Sequence, residues 1–110
     1  MKMPITLKQK WLEALRSGEY KRTSGVLANE DGYCCLGVLE CVAEQAIELH
    51  KYDPSRSASY PSLAFFERHG IIDEIYKDGM PVSRHLAELN DSGVIFSDIA
   101  NVIEREVEGV

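Results

Sequence analysis

A chain of 110 residues carrying 12 Lys and Arg against 18 Asp and Glu, formal charge −6, is one domain's worth of protein. Its 45% apolar and 27% charged shares exclude a disordered or fibrous chain, and its acidity makes nucleic acid an unlikely partner because polyphosphate backbones are repelled. No run approaches the roughly 20 apolar residues of a membrane span, the opening MKMPITLKQKWLEAL lacks a secretory apolar run, and three cysteines make no closed disulfide framework. The expectation is a cytoplasmic protein, with no membrane partner, in a reducing compartment.

The elements follow in chain order. Thr6 is a plausible cap, and Leu7, Trp11, Ala14 and Leu15 make one apolar stripe of a helix over about 7–17 that Gly18 stops. Asp31-Gly32 between short apolar runs predicts a β-hairpin over 25–35, turning at those two residues. From Cys35 the apolar residues Leu36, Leu39, Val42, Ala43, Ala46 and Ile47 recur every three or four positions, predicting a central helix to about His50. Gly37 inside that helix predicts close packing against another backbone.

KYDPSRSASYP, residues 51–61, has no periodicity and is predicted as a surface loop. Pro61 suits the first turn of a short helix with Leu63, Phe66 and, as an alternative, Phe65 inward and Gly70 as its stop. Asp78-Gly79 marks either a turn or a second hairpin arm. Ser83 is the expected cap of a helix through Leu89, ended by Asn90, Asp91 and Gly93, and Ser97 the expected cap of a last helix burying Phe96, Ile99, Ala100, Ile103 and Val107. The predicted fold class is α+β, a mainly helical single domain of four to five helices with one or two short β-hairpins.

The charge is uneven. Residues 1–25 carry a local excess of four positive charges and residues 88–110 an excess of five negative ones. The two ends can attract each other or opposite partners, and a homodimer through the first and last helices is one consequence.

Cys34 and Cys35 are the residues best placed for chemistry. A thiol at a helix start can be lowered in pKa by the amide dipoles, as a nucleophile requires. A nucleophile also needs a base, and His50, His69 and His85 lie in distant segments, whereas Cys-Cys-Leu-Gly-Val-Leu is an apolar entry into an apolar helix. The reading is therefore structural core, with a cysteine-dependent hydrolase or transferase as the alternative. The cysteine spacing does not suit structural zinc, and there is no phosphate-cradling glycine loop, G-x-S-x-G or H-E-x-x-H, so no metal, cofactor or catalytic set is assigned.

Two weaker candidates remain for contact with a ligand or partner. Tyr20, Lys21 and Arg22 set an aromatic beside two cations, a combination that grips an anionic or nucleotide-like ligand. Asn90 and Asp91 offer an amide and a carboxylate from a turn between helices.

Three stretches, KWLEALRSGEYKR, DGYCCLGVLE and LAELNDSGVIFSDIANVIE, resemble a family of small uncharacterised proteins encoded by tailed bacteriophages and prophages. The resemblance covers about half of the chain, and residues 51–82 depart from it in length and content. It implies an accessory role inside an infected bacterium and names no chemistry. The expected function is a non-enzymatic binding module acting on a host bacterial protein or a small ligand.

Overall fold

The computed structural model describes residues 1–44 and 58–110. A two-residue strand β1, Lys2–Met3, leads into helix α1, Ile5–Ser17. The helix begins ahead of the expected Thr6 cap because the Pro4 carbonyl accepts from the Leu7 and Lys8 amides, making Pro4 the boundary residue. Trp11 and Leu15 are buried as the stripe requires, and Gly18 ends the helix in the left-handed region at φ 78°. The Trp11 Nε1–H donates to the Cys35 carbonyl at 2.9 Å, tying α1 to the next helix.

The predicted hairpin is present, shorter and with a shifted turn. Strands β2, Ala28–Asn29, and β3, Gly32–Tyr33, pair antiparallel around Glu30 and Asp31 rather than around Asp31-Gly32. The reason is the Asn29 side chain, whose Oδ1 accepts from the amides of Asp31 at 2.9 Å and Gly32 at 3.2 Å and so turns the chain one residue early. Gly32 itself lies in the strand, where a methyl group would sit 2.3 Å from the Lys21 carbonyl oxygen.

Helix α2, Cys35–Ala43, buries Cys35, Leu36, Gly37, Val38, Leu39 and Cys41, so it is apolar almost all round, the mark of a central helix. Gly37 meets the expectation of close backbone approach: a Cβ there would lie 1.9 Å from the Leu27 carbonyl oxygen. The prediction of helix to His50 is met as far as Ala43, Glu44 follows as the boundary residue in a turn, and 45–50 lie outside the described residues, as does most of the predicted 51–61 loop.

Helix α3, Leu63–Arg68, is capped by Ser62, whose hydroxyl accepts from the Phe65 amide at 3.1 Å. This phase buries Phe65 and Phe66 and turns Leu63 outward at 71% exposure, reversing the expectation for Leu63. Asp78-Gly79 proves to be a tight turn, with φ of 61° and 74°, closed by the Tyr76 amide on the Met80 carbonyl and a single bridge of Ile75 to Pro81.

Helix α4, Val82–Asp91, starts before Ser83, which is buried and is not its cap. The Asp73 carboxylate accepts from both the Ser83 amide and its hydroxyl, so an acid from the preceding loop closes that helix end. Helix α5, Phe96–Glu106, starts at Ile95 with Ser97 inside its first turn, and buries Phe96, Ile99, Ala100 and Ile103 as predicted. A last strand β4, Glu108–Gly109, pairs in parallel with β1, a contact between the two ends of the sequence that local pattern does not announce.

The result is a mainly helical α+β domain. Helices α1, α2, α4 and α5 form a closed ring in which each packs on two others, around a core of Trp11, Leu36, Leu39, Leu86, Ile99 and Ile103. The basic start and acidic end of the sequence meet in this ring. Arg16 pairs with Glu104 at 2.6 Å and with Asn101 at 2.9 Å, and the Lys8 ammonium donates to the Glu104 carbonyl.

Candidate functional site

After Gly18 the chain doubles back and lies beside β3: the Tyr33 amide donates to the Lys21 carbonyl, and the Thr23 amide to the Tyr33 carbonyl, both at 2.8 Å. This pairing holds Tyr20 edge-on against Tyr33, ring centroids 5.4 Å apart at 80°. It also sends alternate side chains to opposite sides. Lys21 lines a cleft of about 340 Å³ with Glu19, Asn29, Glu30, Asp31, Gly32 and Tyr33, while Tyr20 and Arg22 line another. The three-residue cluster read from the sequence is thus divided in space.

The two separate candidates, by contrast, become one unit. Arg22 Nη1 donates to the Asn90 carbonyl at 2.7 Å and to Ser24 Oγ at 3.2 Å. Asn90 Nδ2 donates to the Thr23 carbonyl at 2.7 Å, its Oδ1 accepts from the Cys35 amide at 3.2 Å, and Asp91 Oδ1 accepts from the Gly25 amide at 2.9 Å. Asn90 is fully buried. Its amide is therefore not a ligand contact, and the sequence expectation is corrected: it is the peg that fastens the 20–25 loop to the starts of α2 and of the turn after α4.

Beside this latch lies a cleft of about 350 Å³ lined by Leu15, Arg16, Gly18, Tyr20, Arg22, Ile95, Phe96 and Ser97. Its floor is apolar, with Leu15 and Phe96 buried, and its rim is exposed Arg16, Arg22, Ile95 and Ser97. Sequence reading missed Arg16, Ile95 and Ser97. Arg16 lies on the polar face of α1, Ile95 precedes α5 and Ser97 was read as a helix cap, and only the packing of α1 against α5 brings them to Tyr20 and Arg22.

The cysteines are placed differently from a primed nucleophile. Cys34, not Cys35, is the boundary residue of α2, and its Sγ accepts from the Gly37 amide at 3.4 Å. Burial pushes the Cys34 thiol from 9.0 up to about 11, against the lowering hydrogen bonds from Gly37 and Leu36. Cys35 is wholly buried and raised likewise, first by burial and then by Cys34, and its Sγ lies 3.6 Å from the Leu86 carbonyl. The dipole at the helix start does not win against desolvation.

Of the histidines described, His69 lies 3.4 Å from Glu44 and against the Phe65 ring, and His85 is stacked on Tyr76 at 4.8 Å. Among the described residues no group of three His, Cys, Asp or Glu side chains is placed to hold a metal ion, and no helix is long and apolar enough to cross a membrane. Residues 1–74, more than half of the chain, match a family model described as a domain of unknown function, DUF8296. No curated protein and no solved structure matches.

Proposed function

The chain belongs to the DUF8296 family, a domain of unknown function, and from that premise we propose that it is a non-enzymatic binding module of phage or prophage type. It acts in the bacterial cytoplasm on a host protein or small ligand held at the Tyr20–Arg22 cleft. The observation that carries this reading is the Arg22–Asn90–Thr23 latch, which holds a loop with half-buried Tyr20 and exposed Arg22 beside an apolar-floored cleft. The phage setting rests on the motif resemblance. The raised pKa and burial of Cys34 and Cys35 weigh against the cysteine-dependent alternative.

The test is a tagged pull-down of the full chain from bacterial lysate, with retained proteins and small molecules both read by mass spectrometry. A stoichiometric companion is expected, and Ile95→Glu, which sets a charge at a position 57% exposed on the cleft rim, should release it. An empty eluate, or a companion that the variant keeps in full, overturns the proposal.

A further inference from the structure

Building on the binding-module reading, we infer that the cleft between α1, the 20–25 loop and the start of α5 takes a small molecule that joins an anionic group to a flat aromatic ring, of nucleoside monophosphate type.

Charge is the first argument. In a chain with 18 acids to 12 bases, the described lining of this cleft contains two arginines and no carboxylate. The neighbouring cleft around Lys21 holds Glu19, Glu30 and Asp31, so the cationic lining is local and not a general property of the surface.

The arginines differ in availability. Arg16 is fixed by Glu104 and Asn101 and shares its charge with that carboxylate. Among the described residues, the acceptors of Arg22 are neutral, the Asn90 carbonyl and the Ser24 hydroxyl, both bonded through Nη1. These bonds fix the guanidinium plane without pairing it to a described carboxylate, so little side-chain entropy remains to be lost when Nη2 and Nε meet an anion. The Ser97 hydroxyl, in the uncapped first turn of α5, supplies a further donor at the same wall.

The second argument is shape. Tyr20 is held by its edge contact with Tyr33, while Leu15 and Phe96 close the floor and exposed Ile95 faces the space, an apolar slot with cations at its rim. A volume of about 350 Å³ is at the small end of ligand sites, which suits one ring and one anionic group better than an extended polymer.

Adenosine monophosphate, adenosine and inorganic phosphate would be titrated separately into isotope-labelled full chain, following backbone amide signals. The mononucleotide should give saturable shifts centred on residues 16–22 and 95–97, and bind at least about tenfold more tightly than either half alone. Ser97→Asp separates binding from folding. A carboxylate in the first turn of α5 favours the helix, so thermal stability should hold or rise, yet it should weaken the mononucleotide by about tenfold or more through like-charge repulsion.

Shifts scattered over surface lysines, no saturation, phosphate binding as tightly as the mononucleotide, or undiminished binding by Ser97→Asp would each overturn the inference. If these fail while Ile95→Glu still releases the pulled-down companion, the ligand class falls and the binding module stands. If both experiments fail, both readings fall.

Discussion

Asn90 shows how one residue can be identified from sequence and assigned the wrong task. Asn-Asp before Ser-Gly signals a turn with free polar groups, and the turn is there, but the amide is spent on the Cys35 amide and the Thr23 carbonyl inside the protein. Asn90→Ala would leave both without these partners and open a small cavity, costing about 2–4 kcal/mol. Chemical denaturation checks this, and a loss under about 0.5 kcal/mol, the range of an ordinary surface substitution, would show that the latch is ornamental.

The thiols make a second prediction at this scale. A thiol whose pKa rises on folding stays protonated in the fold while the unfolded chain ionises first, near 9.0, so its contribution is full below that pH and is lost as pH climbs toward about 11. Native protein at neutral pH should therefore react slowly with an alkylating reagent. Stability should fall between about pH 9 and 11, and less so in Cys34→Ser, whose hydroxyl can still accept from the Gly37 amide. Rapid labelling of the folded protein at pH 7 would return Cys34 and Cys35 to the catalytic reading.

At the scale of elements, apolar spacing located α1, α2 and α5, because burial of one face is a local periodic demand, while proline, cap and turn residues marked α3 and α4. The starts were less legible. Three helices begin at residues other than the expected Thr6, Ser83 and Ser97, since Pro4, Asp73 and Ile95 come from outside the periodic stretch and are positioned by the surrounding chain. Leu63 shows the cost of such a shift: moving the cap to Ser62 sets a phase that buries Phe65 and exposes Leu63.

The basic first and acidic last helices were visible as opposite charges, and within one chain they join through the Arg16–Glu104 pair and the Lys8 bond to the Glu104 carbonyl. The Arg16 hydrogen bond and then its charge hold the Glu104 carboxyl below its ordinary 4.5, with Lys8 adding to them. Burial pushes Glu44 the other way, but Arg68 and His69 together outweigh it and keep that carboxyl low as well. A lowered folded pKa means that the unfolded chain binds more protons, so stability should fall as pH drops below the usual carboxylate range. Thermal midpoints measured from pH 7 to 3 should show a shallower acid loss in Glu104→Gln, and an unchanged slope would remove Glu104 from the account.

For the molecule as a whole, the amino-acid sequence by itself determined the α+β class, the central position of α2, and the need for glycine at position 37. These are properties of neighbours along the chain: a 3.6-residue apolar period, and a missing side chain where two backbones must touch. Tertiary structure alone decided that β1 and β4 pair across the length of the sequence, that Lys21 parts from Tyr20 and Arg22, and that Arg16, Tyr20, Arg22, Ile95 and Ser97 line one cleft. Helix periodicity says which face is buried but not which helix covers it, so a site assembled where α1 meets α5 has no signature in either helix taken alone.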